Sequence, residues 1–339
     1  MPTYSAPTLT DVAKKAGVST ATVSRCLNTP DRVAKRTRDK VEDAIAELGY
    51  TPNFGARVMA SKRTYTIGAI IPTMENAIFA RGIQAFQDEL HRQGYTLLVA
   101  SSSYEPEIEE DQIRTLVSRG VDGLLLIGHD RSQEIIDFLN EKRIPSLVAW
   151  AYDPNARLPS VGFDNFAAMC ELASYIINLG HKNIGMISAW TENNDRARAR
   201  VAAVRHTMSK AGIEPDELIL IETEYGIDTG ARAFGEIMNR SKPPTIVICV
   251  NDVLAAGALK NSKESKIKVP NKVSLTGFDN IELASVTTPQ LTTVHVPHRE
   301  MGRKAAKIIV DMIEKRPFEF ATELNVKLKI RGSVKRPRI

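Results

Sequence analysis

The chain has 339 residues, 43% hydrophobic and 25% charged, which is the length of two or three ordinary domains and the composition of a globular protein rather than a disordered one. No stretch approaches the ~18 apolar residues of a membrane span, and the start MPTYSAPTLTD has neither the basic nor the apolar run of a secretion signal. The expectation is a cytoplasmic protein with no membrane partner. The net charge of +5 is unevenly held, since residues 1–63 carry 11 Lys and Arg against 6 acids while the remainder balances at 34 and 34. A small basic module on a neutral body points to a polyanion as partner of that module alone.

The first elements are short helices. Thr8-Leu9-Thr10-Asp11 has the pattern of a capping box, Leu9, Val12, Ala13 and Ala16 form an apolar face behind it, and Gly17 supplies the stop and a tight turn. Ser19 caps a second helix, Thr20 to about Asn28, in which Val23 and Leu27 face inward and Thr20, Ala21, Thr22, Ser24 and Arg25 face out. A third helix is predicted from about Lys35 to Leu48, with Val41, Ala44, Ile45 and Leu48 on one face and Gly49 at its end. Pro52 breaks the chain, and Asn53 caps a short, marginal segment over 54–61.

Two short helices at a glycine turn, the second presenting small polar residues and an arginine, form a helix-turn-helix of the DNA-binding kind. Small side chains let the helix enter the major groove, and a forked donor such as Arg25 reaches base edges. The alternative is an amphipathic hairpin with a solvated face, and the confinement of the basic excess to this segment argues against it.

From Tyr65 onward the pattern becomes β-branched runs alternating with helical stretches. Strands are predicted over Thr66–Ile71, Tyr95–Ser101, Gly123–Ile127, Ser146–Ala149, Ser160–Phe163, Ile184–Ser188, Leu218–Ile221, Thr245–Val250 and Val273–Gly277. Such spacing implies βαβ units and parallel sheets. Nine strands divide best into two doubly wound subdomains, with a seam near Phe163–Asn165 and a return crossing near Pro289–Pro297. Ligands of open α/β sheets bind beyond the carboxyl ends of the strands. The segments in those positions carry aromatic, Arg, Asn and Asp residues, a mixture suited to a hydroxylated ligand.

Neither metal nor cofactor is indicated. Cys26, Cys170 and Cys249 are far apart and lack a CxxC or a His partner. Pro297 lies between His295 and His298, which favours packing or a hinge there over metal ligation. A transporter-feeding binding protein would have no use for residues 1–63, and an enzyme reading lacks GxSxG, P-loop, HExxH and strand-linked GxGxxG motifs.

The segments LTDVAKKAGVSTATVSRCLN (9–28), VEDAIAELGYTPN (41–53), DGLLLIG (122–128), Asn251-Asp252, GFDN (277–280) and TTPQLTTV (287–294) resemble the lactose and purine repressor family (LacI/GalR), in order and along nearly the whole chain. The resemblance implies a fold: an all-α helix-turn-helix head on an α/β body of periplasmic-binding-protein type, built as two doubly wound parallel-sheet subdomains. It divides the chain into a DNA-binding domain (1–52), a hinge helix and linker (53–63), an N-subdomain (64–163 and 293–322) and a C-subdomain (164–292 and 323–339). The implied partners are pseudo-palindromic operator DNA, a small sugar or sugar-acid effector and a second copy in a homodimer. The implied activity is repression of a catabolic operon, with no catalysis.

By the same resemblance, base reading falls to Thr20, Ala21 and Arg25, with neighbouring contacts from Ser19, Thr22, Ser24, Asn28 and Asn53. Met59 stands where the family wedges a leucine into the minor groove, and Ala34 stands where the family often has a serine cap. Effector contacts fall on Phe79, Asp164, Asn194, Arg200, Tyr225, Asn251 and Asp279, where Arg200 and Asp279 could equally form an ion pair across the cleft. YEPEIEEDQ (104–112) and VGFDNFAA (161–168) resemble the gluconate-repressor members. The Arg196, Arg198, Arg200 cluster could neutralise an acid or be a solvated helix start.

Overall fold

The computed structural model describes residues 7–51 and 63–337. It separates into two compact units that divide between Thr64 and Tyr65. The expected short helix over 54–61, with Asn53 and Met59, lies outside the described residues.

The head contains α1 (Leu9–Ala16), α2 (Thr20–Asn28), a 3-10 turn (Pro30–Arg32) and α3 (Lys35–Leu48). The capping box forms as the sequence predicts: Asp11 N–H donates to Thr8 Oγ1, and the Asp11 carboxylate accepts from Thr8 N–H at 2.8 Å. Gly17 and Gly49 end their helices in the left-handed conformation that glycine alone adopts without strain. Val12, Val23 and Val41, one from each helix, are fully buried in the small core. Ala34 heads α3 without a side-chain cap, so that helix lacks ~1 kcal/mol that a serine there would contribute.

The body begins with β1 (Thr66–Ile71), α4 (Ala77–Arg92), β2 (Thr96–Ser101), α5 (Pro106–Ser118), β3 (Gly123–Ile127), α6 (Gln133–Lys142), β4 (Ser146–Ala149) and β5 (Ser160–Gly162). It continues with α7 (Asn165–Asn178), β6 (Ile184–Ser188), α8 (Asp195–Lys210), β7 (Ile219–Glu222), α9 (Ile227–Met238), β8 (Ile246–Cys249), α10 (Asp252–Glu264), β9 (Ser274–Thr276) and α11 (Glu282–Val286). It closes with β10 (Thr293–His295), α12 (His298–Ile313), β11 (Ala321–Glu323) and β12 (Lys327–Lys329). All nine predicted strands are present, with ends moved by at most one residue.

They form two parallel sheets, of order β11-β5-β4-β3-β1-β2 and β7-β6-β8-β9. β1, β3 and β4 are buried along their whole length, which is why TIGAII, GLLLI and SLVA read as unbroken apolar runs. The strands β10, β11 and β12 carry too little pattern to be seen in sequence: each has three residues, and β12 is the polar run KLK. β10 and β12 pair antiparallel, and β11 extends the first sheet to Glu323. Three segments therefore cross between the sheets, after β5, after β10 and after β11. The strand pattern shows the first two, and the third enters the sequence reading only through the family's division at 322–323.

α4 and α12 cross on the first sheet at a contact that only glycine permits. A Cβ on Gly302 would stand 2.0 Å from the Gly82 carbonyl oxygen, and one on Gly82 would stand 2.4 Å from the Trp150 ring. Among the described residues no helix is long and apolar enough to cross a membrane, and no group of three or more His, Cys, Asp and Glu is placed to hold a metal ion.

Gly302→Ala is expected to destabilise the body. A backbone obstruction this close puts overpacking at the upper end of about 1–3 kcal/mol, more than the ~1 kcal/mol that alanine gains in a helix interior. Chemical denaturation should show a lower midpoint. An unchanged or raised midpoint would mean that the two helices separate at no cost.

Candidate DNA-binding face and effector cleft

In the head, the outward face of α2 is the surface expected to meet DNA. Ser19 caps this helix by accepting from Thr22 N–H at 3.1 Å, and the two hydroxyls lie 2.9 Å apart. Ser19, Thr20, Ala21 and Arg25 are exposed, whereas Thr22 and Ser24 are half-buried. The Lys15–Glu47 ion pair ties α1 to α3 and leaves Arg25, which pairs with no described acid, on the open face. Of Asn28 only its place at the end of α2 is described.

In the body, the carboxyl ends of strands from both sheets converge on one cleft. Arg200, on α8, is 5% exposed and forms its centre. Its Nε donates to Asn165 Oδ1 at 3.0 Å, Nη1 donates to the Val250 carbonyl at 2.7 Å, and the guanidinium lies 3.8 Å from the Phe278 ring centroid. Asp279 faces it with Oδ1 3.9 Å from Nη2, an electrostatic pair too long for a hydrogen bond. Of the two roles that the sequence left open, the ion pair is the one formed here, at this long distance.

Asp279 is 1% exposed, and its second oxygen, Oδ2, has no hydrogen-bond partner among the described residues. Burial pushes its carboxyl up to about 6, with Arg200 opposing the rise. The residue holds φ at +97° and is followed by Asn280 at +53°, backbone conformations that are costly for non-glycine residues and that persist only where surrounding contacts impose them. Those contacts come from Asp252, at the start of α10, whose carboxylate accepts from Ile281 N–H and Thr293 Oγ1, both at 2.7 Å. Asn251, just before it, caps α10 through Oδ1 at 2.8 Å from Leu254 N. Its Nδ2 is buried and has no hydrogen-bond partner among the described residues.

Asn194 caps α8 and hydrogen-bonds Tyr225. Tyr225 meets Tyr104 with ring centroids 5.8 Å apart. Loss of water holds both phenols above their ordinary range, with the Asp279 charge among the groups that act on them, so each presents a neutral O–H. Tyr104 was not a candidate from sequence, although it sits just beyond β2, where the strand-end rule applies; its φ of +66° swings it across to the second subdomain, a turn that the pattern YEPE does not announce. Phe79 is 1% exposed and packs edge-on against Trp150 at 5.4 Å, within the hydrophobic core. Trp150 Nε1 in turn donates to His298 Nδ1 at 3.2 Å, and His295 sits 3.1 Å from Asn280; both histidines serve polar packing.

One expected residue falls elsewhere. Asp164 caps α7 by accepting from Ala167 N–H at 2.9 Å and lines a separate groove with Glu171, Glu323 and Asn325. Its neighbour Asn165 is the residue that reaches Arg200, because a cap residue's side chain is committed to the helix end while the next turns inward. The arginines of 196–200 also part company. Arg196 pairs with Asp195 at 2.8 Å, Arg198 reaches out to Asp130 at 2.5 Å, and Arg200 turns in. Asp195 further accepts from His129 N–H at 2.7 Å, and a Cβ on Gly128 would fall 1.8 Å from Arg196 Nη1. The loop after β3 and the start of α8 thus clasp each other across the cleft. Beside the clasp lies a cavity of about 740 Å³, lined by both tyrosines, Asn194 and Trp190.

Comparison with known proteins agrees with this geometry. Residues 8–53 match the family described as bacterial regulatory proteins, lacI family, and residues 173–334 match the periplasmic binding protein-like domain. The chain is 34% identical over 325 residues to the transcriptional repressor PurR of Vibrio atlanticus (strain LGP32), covering 94% of this chain and 96% of that protein. Among solved structures, the lac repressor dimer bound to operator and the anti-inducer ONPF superposes with a TM-score of 0.87 at 25% identity, covering 98% of this chain and 100% of that one. The transcriptional regulator CelR in complex with cellobiose superposes with a TM-score of 0.71 at 27% identity, over 97% of this chain and 100% of that one. The chain belongs to the LacI family of bacterial regulatory proteins, and it is a DNA-binding transcriptional repressor.

Proposed function

We propose that this repressor acts in the cytoplasm as a homodimer on a pseudo-palindromic operator of a catabolic operon, and that a small sugar or sugar acid bound between its subdomains changes its affinity for that operator. Thr20, Ala21 and Arg25 read bases, Ser19, Thr22, Ser24 and Asn28 support them, and Asn53 and Met59 act at the minor groove. The effector meets Asn194, Arg200, Tyr225, Asn251 and Asp279 above the Phe79 floor. The subdomains are taken as 64–163 with 293–322 and 164–292 with 323–339.

The observation that carries the effector reading is that two of the buried polar atoms without a partner among the described residues, Asp279 Oδ2 and Asn251 Nδ2, lie just beyond the carboxyl ends of the adjacent strands β8 and β9. A buried polar atom without a partner costs about 1–3 kcal/mol, and a ligand hydroxyl that donates to one and accepts from the other removes that cost. The lac repressor with ONPF and CelR with cellobiose, both superposable on this chain, support a hydroxylated ligand. A ligand that prefers one degree of closure of the Gly128–Arg196 clasp would shift the population of operator-competent dimers by its differential affinity for the two states. The gluconate-type preference rests on the segments at 104–112 and 161–168.

The reading is tested on the full chain, with the operator found by genome-wide binding-site mapping and the effector by a melting-shift screen of sugars and sugar acids. Asp279→Asn and Arg200→Ala should still bind operator, with the response to effector lost because each hydrogen bond to a charged group contributes ~1.5–3 kcal/mol. Wild-type effector affinity in both variants would exclude this cleft.

Arg25→Ala should cost ~1–3 kcal/mol on the operator and relax the preference at one position per half-site. Fluorescence anisotropy on operator and random DNA checks this. An equal loss on both would reduce Arg25 to a phosphate contact.

The Asp279 carboxyl should titrate near pH 6 in a carbon-detected NMR titration, with the charged acceptor lost as pH falls through that value. Since Arg200 favours the ionised form, Arg200→Ala should move the midpoint upward. A midpoint in the ordinary range near 4 would show that water reaches the carboxylate.

A further inference from the structure

The loop that carries Asp279 is seated on the strands that pass between the two sheets. β10 leads from the second sheet to α12 on the first, and β12 follows β11 of the first sheet; β10 and β12 pair antiparallel. Asp279 N–H donates to the Val294 carbonyl at 2.9 Å, and the Asp279 carbonyl accepts from Val296 N–H at 3.3 Å. Asn280 N–H donates to Thr293 Oγ1 at 3.3 Å, and the same hydroxyl donates to Asp252 Oδ1 at 2.7 Å, while Asp252 Oδ2 accepts from Ile281 N–H. The Asn280 side chain continues the seat. Arg331, just after β12, donates from Nη2 to Asn280 Oδ1 at 2.6 Å, which turns Asn280 Nδ2 towards His295 Nδ1 at 3.1 Å. Arg331 Nη1 also holds the Leu291 carbonyl at 2.8 Å. Thr293 and Asp252 are fully buried, and a Cβ on Gly277 would stand 2.2 Å from Asp252 Oδ1, so the chain of bonds is sealed from water and fitted to a bare backbone.

Asp279, at +97°, and Asn280, at +53°, are both non-glycine residues with positive φ, and such a pair persists only where outside contacts impose it. In a buried hydrogen-bond chain the loss of one member leaves its neighbours unsatisfied. Thr293 is the member that serves two neighbours with one hydroxyl. Valine replaces that hydroxyl with a methyl and leaves both neighbours unpaired, whereas serine keeps the hydroxyl and drops only the methyl.

We infer that Thr293 and Asn280 are positioning residues for the effector site. They fix the backbone from which the Asp279 carboxylate leaves, and they fix it to β10 and to the segment after β12, so that the aim of the carboxylate and the course of the crossing strands are set together. By linkage, an effector that holds Asp279 in one orientation acts on those strands with the same free energy that they exert on it. The inference rests on the reading of this cleft as the effector site.

The test compares full-length wild type, Thr293→Val, Thr293→Ser and Asn280→Gly. Glycine enters the left-handed region without strain, so Asn280→Gly keeps the backbone and gives up the ties to Arg331 and His295. The Asp279 carboxyl, followed by carbon-detected NMR, needs no effector. Its proton affinity should agree in the wild type and Thr293→Ser, and should fall about threefold or more in Thr293→Val and Asn280→Gly, as the loop that shields it from water loosens. A common value in all four proteins, or a value in Thr293→Ser that moves with Thr293→Val, would overturn the inference. A value that moves in only one of Thr293→Val and Asn280→Gly removes the other residue from the pair. A merely structural role lowers the melting temperature and leaves this proton affinity in place.

A melting-shift panel of glucose, ribose, gluconate and glucose 6-phosphate forms the second arm. A compound whose shift is lost in Asp279→Asn should also lose it in Thr293→Val and Asn280→Gly and keep it in Thr293→Ser. Survival of that shift in Thr293→Val and Asn280→Gly overturns the inference and keeps the cleft. A shift that survives Asp279→Asn removes the cleft reading, and the proton affinities then judge the positioning pair alone. They also decide the matter if no member of the panel shifts the melting.

Discussion

The buried guanidinium of Arg200 is the contact on which the body's binding site depends. It joins α8 to the end of β8 through the Val250 carbonyl, to the start of α7 through Asn165, and to the loop after β9 through Phe278 and Asp279. A guanidinium taken from water is costly unless its donors are met, and a planar fork can meet several acceptors and an aromatic face at once. The ring over which it lies, Phe278, is stacked in turn on Phe163 at 6.1 Å. The geometry of four segments distant in sequence is thereby tied to one side chain.

The same arrangement leaves Asp279 unfinished. Its left-handed backbone is held by Asp252, Ile281 and Thr293, while one carboxylate oxygen and the neighbouring amide of Asn251 remain without partners among the described residues. Interiors rarely tolerate such atoms. Both lie just beyond the carboxyl ends of strands of the second sheet, β8 and β9, the place where ligands of open α/β sheets bind. The clasp at Gly128, Asp195 and Arg196 requires a bare backbone on one side and a fixed carboxylate on the other.

Charge is distributed by task. The basic excess sits in the head, where a polyanion is met, and the body is neutral as a whole but carries five exposed glutamates around the cavity of Tyr104 and Tyr225. Net charge alone conceals that second pattern, because the five glutamates come from segments after four different strands, β1, β2, β6 and β7, with Glu107 in the first turn of α5.

Local order was legible in the sequence. Thr8, Gly17, Ser19 and Gly49 mark helix ends through bonds made within three or four residues, and the apolar runs of β1, β3 and β4 declare strands buried on both faces; these properties belong to neighbours along the chain, so the chain states them. The strand-end rule, with the family's pattern, likewise brought Arg200, Asn251 and Asp279 forward. Tertiary structure alone decided that Asn165 and not Asp164 reaches Arg200, that Tyr104 closes on Tyr225, that the three arginines of 196–200 go to three different partners, and that β11 and β12 exist. Each of these depends on which side of a backbone a side chain leaves, or on a pairing partner more than a hundred residues away, as when β11 joins β5, and no local pattern encodes a distance that only the folded chain makes short.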